Sequence, residues 1–313
     1  MPKKSFFLLI AASFLLGLTS CNSDRSNQST DKPFVVTTST IIADLTEQIG
    51  GDEIKHQGIL QPGVDPHVYE PTPQDTVALE NADLILYNGF NLEPGLIKLI
   101  NATGEDAERF AVGEVVKPLD FEYQGSIEPD PHVWGDAENA IVMVEAIRDR
   151  LIELSPEDEA LFRANAEELI SQLQQLDSWI EQQTATIPEA QRQLVTTHDA
   201  FQYYAQAYGL EVTGTLIGIS TEEQPSAQTV KNLSDKIKQA QVPAIFAETT
   251  INPQLITTVA QEAGVTLAPD KLYADSIGVK GSEADTYINM LETNTRTIVE
   301  ALGGNFQEFQ AQN

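Results

Sequence analysis

From Glu157 to Ile187 the chain contains neither glycine nor proline, and Leu161, Leu169, Leu173, Leu176 and Ile180 keep to one helical face. Ser155-Pro156-Glu157-Asp158 opens this stretch with a serine to cap, a proline for the first turn and carboxylates beside the positive end of the helix dipole. At ~1.5 Å per residue such a helix is a rod of roughly 45 Å. A rod of that length in mid-chain sets the residues before it apart from those after it. The expected arrangement is two lobes, 34–154 and 188–313, joined by a bridging helix over 155–187.

Both flanks alternate short strands with helices. Before the rod, strands are expected at Phe34–Thr38, Ile54–Leu60, Leu84–Tyr87 and Arg109–Val112, with helices through Ile41–Ile49, Pro73–Ala82 and Pro94–Ile100. The acidic segment 113–131 reads as a Gly- and Pro-containing loop, and a helix over 137–154 closes the lobe. After the rod, strands at Leu194–Thr197, Glu211–Ile217, Ala244–Ala247 and Thr266–Leu267 alternate with helices following Phe201 and over 227–240 and 253–263. A loop at Tyr273–Gly278 and a helix over 285–302 end the chain. The fold class is therefore α/β: two similar lobes with parallel helix-flanked sheets, bridged by one long helix.

Three of the four histidines stand in motifs. Asp65-Pro66-His67-Val68 recurs as Asp130-Pro131-His132-Val133, and Thr197-His198-Asp199-Ala200-Phe201 carries the third. They lie sixty-five and sixty-six residues apart, too far for one local metal loop. A proline before a histidine fixes the backbone that aims the ring. Imidazole is the commonest metal ligand, so metal binding is the first hypothesis. His67 and His198 each come after a predicted strand, one per lobe, and ligands in open α/β sheets lie beyond the carboxyl ends of strands. A cleft between the lobes is where the three could converge. Glu248, ending the strand before it, is a candidate partner for a ligand imidazole. Trp134 and Tyr69 are expected to wall the site, and His56, which has no motif, to be a surface or core residue.

The first twenty residues read as a signal segment, with Lys3 and Lys4 ahead of an apolar run too short for a comfortable membrane span. The segment ends in Leu18-Thr19-Ser20-Cys21, which resembles a bacterial lipobox, and Cys21 is the only cysteine. Lipid modification of Cys21 is therefore expected, with residues 21–33 as a polar tether. A lone cysteine leaves no intramolecular disulfide and no thiolate-rich metal site. The net charge of −29 excludes a nucleic-acid binder, which needs Lys/Arg-rich surfaces, and fits attraction of cations.

With these motifs and with Ala82-Asp83-Leu84-Ile85-Leu86-Tyr87-Asn88-Gly89 and Asp275-Ser276-Ile277-Gly278, the chain resembles the metal-binding solute-binding lipoproteins of ABC importers, often called cluster A-I. The resemblance spans nearly the whole chain. It implies two α/β lobes bridged by a long helix, and metal ligands at His67, His132, His198 and Asp275. It also implies an extracytoplasmic, membrane-anchored monomer, in the periplasm or on the outer face, that serves a membrane permease and is not an enzyme. Members with histidine at the third ligand include many zinc proteins, whereas many manganese proteins have glutamate there. The His-rich loop of many zinc members is missing here. Three imidazoles and a carboxylate suit Zn²⁺, with Mn²⁺ next and iron after it. A metallohydrolase or a surface adhesin is the alternative, and four protein ligands with no His-Glu-x-x-His helix argue against the hydrolase.

Overall fold

In the computed structural model, residues 32–103, 107–123 and 126–311 are described; the signal segment, Cys21 and most of the tether lie outside them. Strand β1 (Phe34–Thr37) is a β-branched run buried along its whole length, as a central strand covered on both faces must be. It pairs in parallel with β2 (Lys55–Gly58) and β3 (Leu84–Tyr87), and β4 (Glu108–Ala111) completes the order β2-β1-β3-β4. The two edge strands are the polar ones, Lys-His-Gln-Gly and Glu-Arg-Phe-Ala, which blunts the open edges.

Helices α1 (Thr40–Gly50), α2 (Pro73–Asn81) and α3 (Pro94–Ala102) connect these strands. Ser39 caps α1 by accepting from the Ile42 N–H at 3.2 Å, and Gly51, at φ 51°, ends it. Thr72 and Asp75 form a reciprocal capping box at the start of α2, with Pro73 in the first turn.

The segment expected as an acidic loop contains an antiparallel hairpin, β5 (Asp120–Tyr123) and β6 (Ser126–Pro129). Strands of four residues are too short for period-two alternation to stand out among the acids, which is why the sequence pattern reads as loop. Helix α4 (Ala137–Leu154) comes next, capped by Asp136.

The rod is real and slightly shorter than expected. A single 3₁₀ turn, Pro156–Asp158, precedes α5 (Glu159–Ala185), 27 residues long, and the Ser155 hydroxyl donates to Asp158 Oδ2 at 2.6 Å instead of capping the helix. Its buried stripe is Phe162, Ala166, Leu169, Leu173, Leu176 and Ile180, at alternating steps of four and three. Leu161 falls one position outside that stripe and is 41% exposed, contrary to its expected place on the buried face. The stripe packs on α1 and α4 from the first half and on α9 (Tyr287–Ala301) from the second, so α5 bridges the two lobes. The segment after α9 folds back along α5. There Gln307 accepts at its carbonyl from Trp179 Nε1 at 3.0 Å, and Phe306 and Phe309 flank the indole.

The second lobe comprises β7 (Gln193–Thr196), α6 (Gln202–Ala207), β8 (Glu211–Thr215), α7 (Ala227–Ala240), β9 (Ala244–Ile245), α8 (Gln254–Ala263) and β10 (Thr266–Leu267). β7 pairs with β8 and β9 with β10, both in parallel, and the Phe246 N–H donates to the Val195 carbonyl at 2.9 Å between the two pairs. The resulting sequence β8-β7-β9-β10 repeats the order of the first sheet. β9 is shorter than expected because the chain beyond it turns to Leu272, whose N–H donates to the Ala247 carbonyl.

Candidate metal centre

Each Asp-Pro-His is an Asx turn. Asp65 Oδ1 accepts from the His67 N–H at 2.9 Å and Asp130 Oδ1 from the His132 N–H at 3.0 Å, with a proline between that offers no competing donor. His132 then begins a 3₁₀ turn in which Trp134 donates Nε1 to the Ala274 carbonyl at 2.9 Å. That bond ties the second motif to the residue before Asp275. His198 lies just past the carboxyl end of β7.

The structure brings His67, His132, His198 and Asp275 together, all buried, with one donor atom of each within 4.8 Å of the others. His132 Nε2 and His198 Nε2 lie 3.4 and 3.3 Å from the two Asp275 oxygens, and His67 Nε2 is 3.3 Å from His132 Nε2. Neither oxygen of Asp275 has a hydrogen-bond partner, and neither does His198 Nε2. Buried polar atoms left unpaired cost free energy, so such a convergence calls for something that binds them together.

The outer nitrogens of two histidines are held by carboxylates. Glu248, fully buried, accepts from the His198 N–H at 2.9 Å and its other oxygen meets His198 Nδ1; Asp130 Oδ1 meets His132 Nδ1 at 2.8 Å. Glu248 thus contacts one of the three clustered imidazoles. The role of Asp130 was visible only as an acid two residues before the histidine, a signal that Asp65 shares without making the same bond. Ser276 links further segments: its hydroxyl accepts from the Gly63 N–H at 2.8 Å, on the loop that carries His67. Trp134 stacks edge-on against His132 with centroids 5.4 Å apart. Tyr69 turns away and donates to Asp75 at 2.8 Å, so it does not wall the site as expected. His56 sits on edge strand β2, bonded to Glu47 and Thr37.

The electrostatics split the histidines. Burial, reinforced by the neighbouring imidazoles, pushes His67 down to about 3 although Asp275 opposes it. For His132 burial acts downward too, but Asp130 and Asp275 outweigh it and push the ring up to about 9. His198 is raised for the same reason by Glu248 and Asp275. Asp275 resists the upward pull of burial because the two charged rings hold it well below the usual carboxylate range. A divalent cation bound among these atoms would have to displace whatever proton a raised ring turns inward.

Residues 35–301 match the family model described as zinc-uptake complex component A, periplasmic. The chain belongs to this family. Among family-like relatives, the manganese-binding lipoprotein MntA of Bacillus subtilis is 37% identical over 91% of this chain and 95% of its own. The manganese ABC transporter substrate-binding lipoprotein PsaA of Streptococcus pneumoniae is 33% identical over 96% of this chain and 99% of its own. The solved periplasmic zinc-binding protein TroA of Treponema pallidum superposes with a TM-score of 0.82 at 34% identity, covering 87% of this chain and 99% of that one. Two of these relatives are named for manganese and the solved one for zinc.

Proposed function

We propose that this protein is the extracytoplasmic solute-binding lipoprotein of an ABC importer. It captures one divalent transition metal ion through His67, His132, His198 and Asp275 and delivers it to a membrane permease. The observation that carries the reading is the convergence of three imidazoles and a carboxylate whose inward-facing oxygens have no other partner. Membership of the family and the transporter names of its relatives point the same way. The protein is a binding subunit and not an enzyme: four protein donors leave no open coordination position for an activated water. It works as a monomer held to the membrane by a lipid on Cys21.

Zn²⁺ is the proposed cargo, since it accepts three nitrogens and one oxygen in a tetrahedral site with buried second partners on the imidazoles. Mn²⁺ is the second reading, favoured by the manganese-named relatives. Metal analysis and chelator competition on protein purified without added metal test both. One ion per chain is expected in the wild type and none in His67→Ala, His132→Ala. Undiminished binding by that double variant would move the site elsewhere. Replacing His198 by Glu exchanges a borderline nitrogen for a hard oxygen and should lower the Zn²⁺/Mn²⁺ affinity ratio; an unchanged ratio would place selectivity outside this ligand.

A further inference from the structure

The two Asp-Pro-His turns differ in one bond. In the second, the aspartate secures its own histidine at Nδ1; in the first, Asp65 Oδ2 accepts instead from the hydroxyl of Thr221 at 2.7 Å. Thr221 belongs to the other lobe, on the loop between β8 and α7. The near end of that loop is fastened beside His198: the Thr197 carbonyl accepts from the Leu216 and Ile217 N–H groups, and the Gly218 carbonyl from the Asp199 N–H. One short loop therefore runs from the neighbours of His198 to the neighbour of His67.

His67 is also the one of the four clustered residues that lines the adjoining cavity of about 720 Å³, whose lining includes Ile219, Ser220 and Glu222 from the same loop. His132 and His198 are each held by a buried carboxylate at Nδ1, and Asp275 is fully enclosed. His67 has the least support of its own and faces the open side. Its position depends on the Asx turn, and the free arm of that turn is gripped by Thr221.

We propose that Thr221 is a positioning residue: by clasping Asp65 across the cleft it holds His67 on the metal and sets how long the ion stays bound. This rests on the metal-binding reading above. A bond that must open before His67 can give up the ion acts on departure more than on encounter, so its removal should appear in the dissociation rate.

The test is stopped-flow release from Zn²⁺-loaded protein into excess EDTA, repeated with Mn²⁺, for wild type, Thr221→Val and Thr221→Ser. Valine keeps the branched shape without the hydroxyl, and one hydrogen bond to a carboxylate corresponds to an acceleration of about tenfold. The expected result is faster release from Thr221→Val at an association rate near that of wild type, with Thr221→Ser close to wild type. A merely structural role would instead lower the metal-free melting temperature of the valine variant and leave release unchanged. Release from Thr221→Val at the wild-type rate, or acceleration that serine does not reverse, overturns the clasp while the metal site stands. A wild-type protein that takes up neither ion overturns both.

Discussion

Glu93 and Glu248 are buried acids beyond the third strand of their respective sheets, and each accepts a hydrogen bond from a residue just past the first strand. In the second lobe that residue is His198 and the acid serves an imidazole. In the first it is Thr38, which with the Asn88 N–H occupies Glu93 Oε1 at 2.8 and 2.7 Å while Oε2 has no partner. Burial pushes Glu93 up to about 7, against the pull of those two bonds. Between pH 4.5 and about 7 the folded chain keeps a proton that the unfolded chain has released. Stability therefore falls as pH rises through that window, by an amount on the order of 3 kcal/mol. Glu93→Gln keeps the acceptor and removes the charge. Thermal melts of the metal-free variant should match wild type at pH 5 and exceed it at pH 8; a lower melting temperature at pH 8 would contradict the assignment. Asn88 in turn donates Nδ2 to the Pro131 carbonyl at 3.0 Å, next to His132. Asp130 acts more directly, and Asp130→Asn should weaken metal binding by about 10- to 100-fold in equilibrium titration. The histidine positions were legible because a rare residue repeated in a turn motif. Thr221, Glu93 and Ser276 were not, since hydroxyls and acids are common here and their partners lie far away in sequence.

At the scale of elements, helices announced themselves through caps, stops and stripes, and α4, α7, β3 and β10 fall where their patterns put them. The misreadings came where pattern was thin. The β5–β6 hairpin carries too few residues to show a period, and the stripe of α5 was anchored on Leu161 when Phe162 continues it. That one-residue difference is measurable. Leu173 is fully enclosed, and Leu173→Ala should cost about 2–5 kcal/mol from lost burial and the cavity left behind. Leu161→Ala, on the solvent side, should stay within about 0.5 kcal/mol of wild type. Urea unfolding of both metal-free variants checks the register of the helix, and equal losses would refute it. The tail after α9 was expected only as the chain's end. Its grip on Trp179 comes from aromatic residues scattered among polar ones, a pattern with no period to read.

For the whole molecule, the repeated strand order shows two halves built alike, with Ser39 capping a helix after the first strand of one half and His198 entering the cluster after the first strand of the other. A ligand that binds only the folded state adds RT ln(1 + [L]/Kd), about 4 kcal/mol at a thousandfold excess. Calorimetry with saturating Zn²⁺ should therefore show one unfolding transition moved upward as a unit, since the site draws on both halves; two transitions, only one of them moved, would speak against it. Helix α5 adds a mechanical condition to this. It is a beam packed through one stripe on helices of both halves and pinned near its far end by the returning tail, with no glycine or proline at which to bend. Such a beam resists flexure, so the middle of the helix is not where the halves would hinge. If the clasp of Thr221 on Asp65 governs release, unfastening one loop at the mouth is enough to let cargo go, through a wicket rather than through opened doors.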